Sequence, residues 1–137
     1  MRAVSIISWI ARVALMATLV LGLLFWIAQI SLISFHMLFG LIGVLSLLVL
    51  GTVAVFTRGI RLLGAGSMVY AFIVPAFGLT QSLILVGNLH WLIQTAHLLV
   101  GIGAMALVQV ISTRYRRLKR AASNAAEVQA PASHIAR

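Results

Sequence analysis

The chain has 137 residues, of which 63% are hydrophobic and only 8% charged, and its mean hydropathy is +1.16, leaving too little polar surface for a water-soluble domain of this size. Ten Lys and Arg stand against a single acid, Glu127, but they cluster at the ends of apolar runs rather than on one soluble face, which argues against nucleic acid as a partner. The absence of Cys excludes disulfides and thiolate metal sites, and a lone acid near the carboxyl end excludes carboxylate catalysis and carboxylate-coupled transport.

Taken in chain order, Met1-Arg2 and the apolar stretch behind it look like a signal peptide. That stretch is too long for one and lacks a small-residue cleavage site, so it reads as an uncleaved first span. A spanning helix needs about 20 apolar residues. Four segments qualify, at about residues 5–30, 33–56, 63–86 and 90–111. The expected fold is therefore an all-α integral membrane protein, a four-transmembrane-helix bundle occupying residues 1–117. Unpaired backbone in lipid demands helices, and strand-like alternation is absent. Arg12 interrupts the first span and is expected to snorkel toward the nearer interface.

Arg2 and Arg12 precede the middle of span one, Arg58 and Arg61 separate spans two and three, and Arg114, Arg116, Arg117, Lys119, Arg120 and Arg137 follow span four. The other two connections carry no charge. The positive-inside rule then predicts both termini in the cytoplasm, with Trp26 and Trp91 at the outer interface and Trp9 and Tyr115 at the inner one. Residues 118–137 read as a flexible cytoplasmic tail, with His134 solvated, because they cannot bury enough apolar area to fold alone. The basic cluster from Arg114 to Arg120 is expected against anionic lipid headgroups.

Polar groups inside spans are costly in lipid and mark sites or packing contacts. In span four, His90, Gln94 and His97 fall within roughly 60° of one another at 100° per residue, and Gly101, Ala104 and Val108 continue the stripe. In span two, His36, Gly40 and Gly43 share a face that Leu47 continues. His36-Met37-Leu38-Phe39-Gly40 aligns with His97-Leu98-Leu99-Val100-Gly101, and Trp26-x-x-Gln29 with Trp91-x-x-Gln94 once a four-residue gap is allowed. A duplicated hairpin explains both matches, and so does chance in a chain rich in Leu and Gly.

Spans two and four run parallel, so His36 and His97 can face each other as axial ligands of a haem b iron, with His90 as substitute. Gly40 and Gly101, a turn below, would make room for the porphyrin face. The pattern resembles the bis-histidine bundles of cytochrome b and haem A synthase. The registers differ: His36 precedes Arg58 by 22 residues and His97 precedes Arg114 by 17, an offset of about 7.5 Å. With no outer Arg or Lys, the propionates would turn to headgroup water, Asn88 or Gln81. The bland alternative has His97 and Gln94 hydrogen-bonded to Gln81, Thr80 or Ser34 as packing glue, with His36 and His90 at the interface. Zinc lacks a carboxylate or thiolate to join the histidines.

Span three carries Pro75, which removes a hydrogen bond to the Ala71 carbonyl and predicts a mid-membrane kink. Pro75-Ala-Phe-Gly78-Leu-Thr-Gln81 followed by His90-Trp91-Leu-Ile-Gln94-Thr-Ala-His97-Leu-Leu-Val-Gly101 resembles a family of small four-span bacterial inner-membrane proteins with no assigned activity, with His36 opening the second span. The resemblance covers about residues 30–112 and implies a bacterial inner-membrane location and the four-span topology. It also gathers Pro75, Gln81, His90, Gln94 and His97 into one pattern. Hydrolase triads, a P-loop and a dinucleotide fingerprint are missing, which points away from an enzyme. Two functions remain: an accessory or scaffold protein packing against other membrane subunits or its own copies, and a haem b electron-transfer protein.

Overall fold

A computed structural model describes the backbone of residues 2–135 and the side chains as far as Glu127. The side chain of His134 and all of Arg137, both read above, lie outside the described residues. Four helices follow in order: α1 (Arg2–Ala28), α2 (Ile33–Val55), α3 (Arg61–Thr80) and α4 (His90–Ile135). All four are long and apolar enough to cross a membrane. Their outward faces carry Leu62, Phe35, Ile27 and Phe72, while alanine, serine and glycine fill much of the interior. This inside-out distribution suits a lipid solvent, in which helices associate by close approach rather than by hiding apolar area.

The helix ends differ from the predicted spans for local reasons. Span one stops at Ala28 rather than Ile30, because Gln29 enters the left-handed region at φ 57° and its amide donates to the Trp26 carbonyl at 2.9 Å, satisfying a terminal acceptor. Span three does not reach Val86. Helix α3 runs through Pro75 to Thr80 and tightens into a single 3-10 turn over Gln81–Leu83. The chain then turns through Leu85 (φ 49°) and Gly87 (φ 99°), with residues 84–86 exposed outside the helix. Helix α4 does not end near Ile111 but continues for 46 residues to Ile135, across the segment read as a flexible tail. Those residues need not fold alone. Ala, Arg, Lys and Leu propagate a helix already nucleated inside the bundle, and adding a turn costs far less than starting one.

Helix α1 packs on α2, α2 on α3, and α4 closes against α1 and α3 while also touching α2. Among the described residues α1 and α3 make no contact, so the short diagonal of the bundle joins the two histidine-bearing helices. The tightest approach is between α2 and α3. A Cβ on Gly64 would run into the backbone of Val55, Gly51 and Ala54, and one on Gly51 would lie 2.7 Å from Ser67 Oγ. Directional bonds add to this packing. Ser112 Oγ donates to Ser8 Oγ at 2.7 Å across α4 and α1, and Tyr70 donates to the Val100 carbonyl at 2.8 Å across α3 and α4.

Those contacts also fix which residues share an end. Ser8 meets Ser112, and Gly59 lies beside Leu118, so the α1 start, the α2–α3 turn and the far half of α4 stand together. The nine described cations belong to that end (the tenth is Arg137), and His36, His90 and His97 belong to the other.

Candidate functional site

Helix α2 opens at Ile33 and α4 at His90, which makes His36 the fourth and His97 the eighth residue of parallel helices. Despite that one-turn difference, the imidazoles meet on the short diagonal. Their ring centroids are 6.1 Å apart and their planes are inclined by 46°. The register offset expected from the sequence is thus absorbed in the bundle. Both rings are half-buried.

Each ring rests on a glycine of the preceding helix. A Cβ built on Gly22 of α1 would lie 3.1 Å from His36 Cε1, and one on Gly78 of α3 would lie 3.1 Å from His97 Cε1. The same seat therefore occurs twice, once in each hairpin. The duplication is spatial at His36 and His97 and their glycine seats only, since Trp26 and Gln29 close α1 whereas Trp91 and Gln94 open α4. His36 Nδ1 lies 2.9 Å from the Thr18 carbonyl oxygen. A carbonyl only accepts, so in the neutral ring Nδ1 carries the proton and Nε2 keeps its lone pair. His97 Nδ1 is buried and has no hydrogen-bond partner. Phe77 flanks that ring, with centroids 6.0 Å apart.

The other predicted site residues are distributed around this pair. His90 sits about two turns nearer the end of α4, and its Nδ1 reaches the Ile84 carbonyl at 3.4 Å, so it marks the start of the helix. Among the described residues no three His, Cys, Asp or Glu side chains group as a metal site, and His90 does not complete one with the pair. Gln94 and Gln81 are half-buried, and Asn88 is exposed in the α3–α4 connection. The expected bond from His97 to Thr80 is not made through Nδ1. Thr80 instead donates to the Ala76 carbonyl of its own helix at 2.9 Å. Gly101 faces open space, with nothing within 4 Å of a built Cβ, whereas Gly40 faces the Thr18 methyl at 3.7 Å. Ser34 is exposed.

No family model, curated protein or solved structure matches the chain.

Two imidazoles sharing one metal through bonds of about 2.0–2.1 Å hold their ring centroids roughly 6.3 Å apart. The observed 6.1 Å is close to that separation and too long for a direct hydrogen bond from ring to ring. The donor set suits haem iron: two neutral nitrogens, one oriented by a carbonyl as outer partners orient ligating histidines, within an apolar shell. Sequence reasoning missed Thr18 and Gly22 altogether, and it placed Phe77 and Gly78 in the span-three motif without assigning them to the site. Thr18 and Gly22 lie four apart on one face of α1, a signal too ordinary to stand out before the ring positions are known.

Proposed function

We propose that this chain is a multi-pass protein of the bacterial inner membrane, with both termini in the cytoplasm, that holds haem b between His36 and His97 as an electron-transferring accessory component of a larger assembly. The observation that carries it is the 6.1 Å pairing of two half-buried imidazoles on the parallel helices α2 and α4. Clustering of the described cations at the opposite end supports the orientation, since Lys and Arg remain on the cytoplasmic side.

Haem b, when bound, supplies a one-electron couple. The chain's own residues would hold and shield it. Thr18 fixes the His36 tautomer, Gly22 and Gly78 let the rings sit deep between helices, and Phe77 packs beside His97. Gly101 leaves space a turn below His97. Asn88, Gln81 and headgroup water are the groups at that end suited to the propionates, as no described Arg or Lys lies there.

A cofactor-free scaffold is the second reading. It is favoured by Gly66 and Gly101, whose open helix faces would admit a neighbouring subunit or a second copy. Purification from haem-replete bacterial membranes separates the two. A Soret band that shifts on dithionite reduction is expected, and a colourless protein rules out the haem assignment in favour of the scaffold.

A further inference from the structure

A second feature lies at the basic end. Between the start of α3 and the middle of α4 is an open cleft of about 400 Å³, within the size range of small-molecule sites, lined by Gly59, Ile60, Leu63, Gly66, Leu107 and Arg114. Its walls are graded. Gly59 packs against Leu118 and Tyr70 lies close to Gly103, so the two helices run antiparallel, with Arg114 near the bundle end and Leu107 deeper. Seven residues separate those two, about 10 Å of rise. Gly66 lines the cleft without a side chain, and a Cβ built there meets nothing within 4 Å. Arg114 is exposed at the mouth, and the only acidic side chain, Glu127, stands 13 residues further along the same helix, so among the described residues no carboxylate lies beside it.

We propose that this cleft seats an anionic phospholipid, with one acyl chain along Gly66 and Leu107 and the phosphate on the Arg114 guanidinium. A cation at the mouth above an apolar trough matches the layout of such a lipid, and cytoplasmic leaflets are rich in anionic headgroups. An apolar helix from another subunit would leave Arg114 without an anion. The inference rests on the bundle's place in the bilayer and is independent of haem, whose absorbance in the same preparation reports separately on the other site.

The test is native mass spectrometry of the full-length protein in detergent, titrated with phosphatidylglycerol, phosphatidylcholine or inorganic phosphate. One phosphatidylglycerol adduct should persist about tenfold better than phosphatidylcholine, as expected for one charge-assisted contact. Gly66→Leu fills the trough and Arg114→Gln removes the cation, and each should lower phosphatidylglycerol retention about tenfold. Arg114 is exposed, so its variant keeps the fold even if Gly66→Leu does not. Equal retention of phosphatidylcholine, competition by inorganic phosphate alone, or wild-type retention in Arg114→Gln would overturn the proposal. So would a Gly66→Leu variant that changes only the oligomeric state.

Discussion

At the scale of single residues, the site depends on two glycines that give the imidazoles their depth. At Gly22 and Gly78 an added Cβ would come within 3.1 Å of a ring carbon, so the ring has to shift by a few tenths of an ångström. Gly22→Ala and Gly78→Ala should therefore weaken haem retention while leaving the helical circular dichroism intact. Unchanged haem content after dialysis against an apo-haem acceptor would count against those seats. His36 and His97 were legible in the sequence because costly polar groups stand out in apolar spans, whereas Thr18 acts through its backbone carbonyl, which any residue possesses. Arg12 is the other informative residue. Its Nε and Nη2 are buried without partners, so the expected snorkelling does not bring those two nitrogens to water. Replacing a partly buried cation that lacks a hydrogen-bond partner by an apolar side chain of similar length relieves its desolvation cost. Arg12→Met should raise stability by about 1 kcal/mol or more, read as a higher thermal midpoint in detergent. A lower midpoint would mean that the guanidinium has a stabilising partner.

At the scale of the helices, the α2–α3 contact is set by backbone approaching backbone at Gly64, and the start of α3 is open at Gly66. The two glycines are two residues apart and should respond with opposite signs. Gly64→Ala forces the helices apart and should cost about 1–3 kcal/mol. Gly66→Ala has free space and should gain up to about 1 kcal/mol from helix propensity alone. Denaturant titration of both variants checks this, and equal effects would remove the distinction. The existence of all four helices was plain from apolar length, yet their ends were not. Gln29 closes α1 with its own side chain, and Leu85 and Gly87 reverse the chain inside a run still apolar enough to look like span three. The overrun of α4 was missed for a different reason. The composition of residues 118–137 is too polar to fold alone, but the helix nucleated in the bundle propagates through them as far as Ile135.

At the scale of the whole molecule, charge and chemistry are segregated to opposite ends of one bundle, the described cations at one and the paired imidazoles at the other. The chain lacks Cys, so single-cysteine variants report topology without background. Ser123→Cys should be labelled only after the membrane is opened to a non-permeant maleimide, and Ser82→Cys in intact spheroplasts. Labelling of both from the same side would overturn the four-span arrangement. The short diagonal between α2 and α4 is what turns two separate helix stripes into one site, and no single-helix periodicity could reveal it. The most direct measurement is the low-temperature absorption and electron paramagnetic resonance of the protein purified from haem-replete cells, beside its three histidine variants. His36→Ala and His97→Ala should each lose the low-spin bis-imidazole signal, and His90→Ala should keep it. A low-spin haem that survives in His36→Ala or His97→Ala but is lost in His90→Ala, or no haem in the native protein, would contradict the pairing.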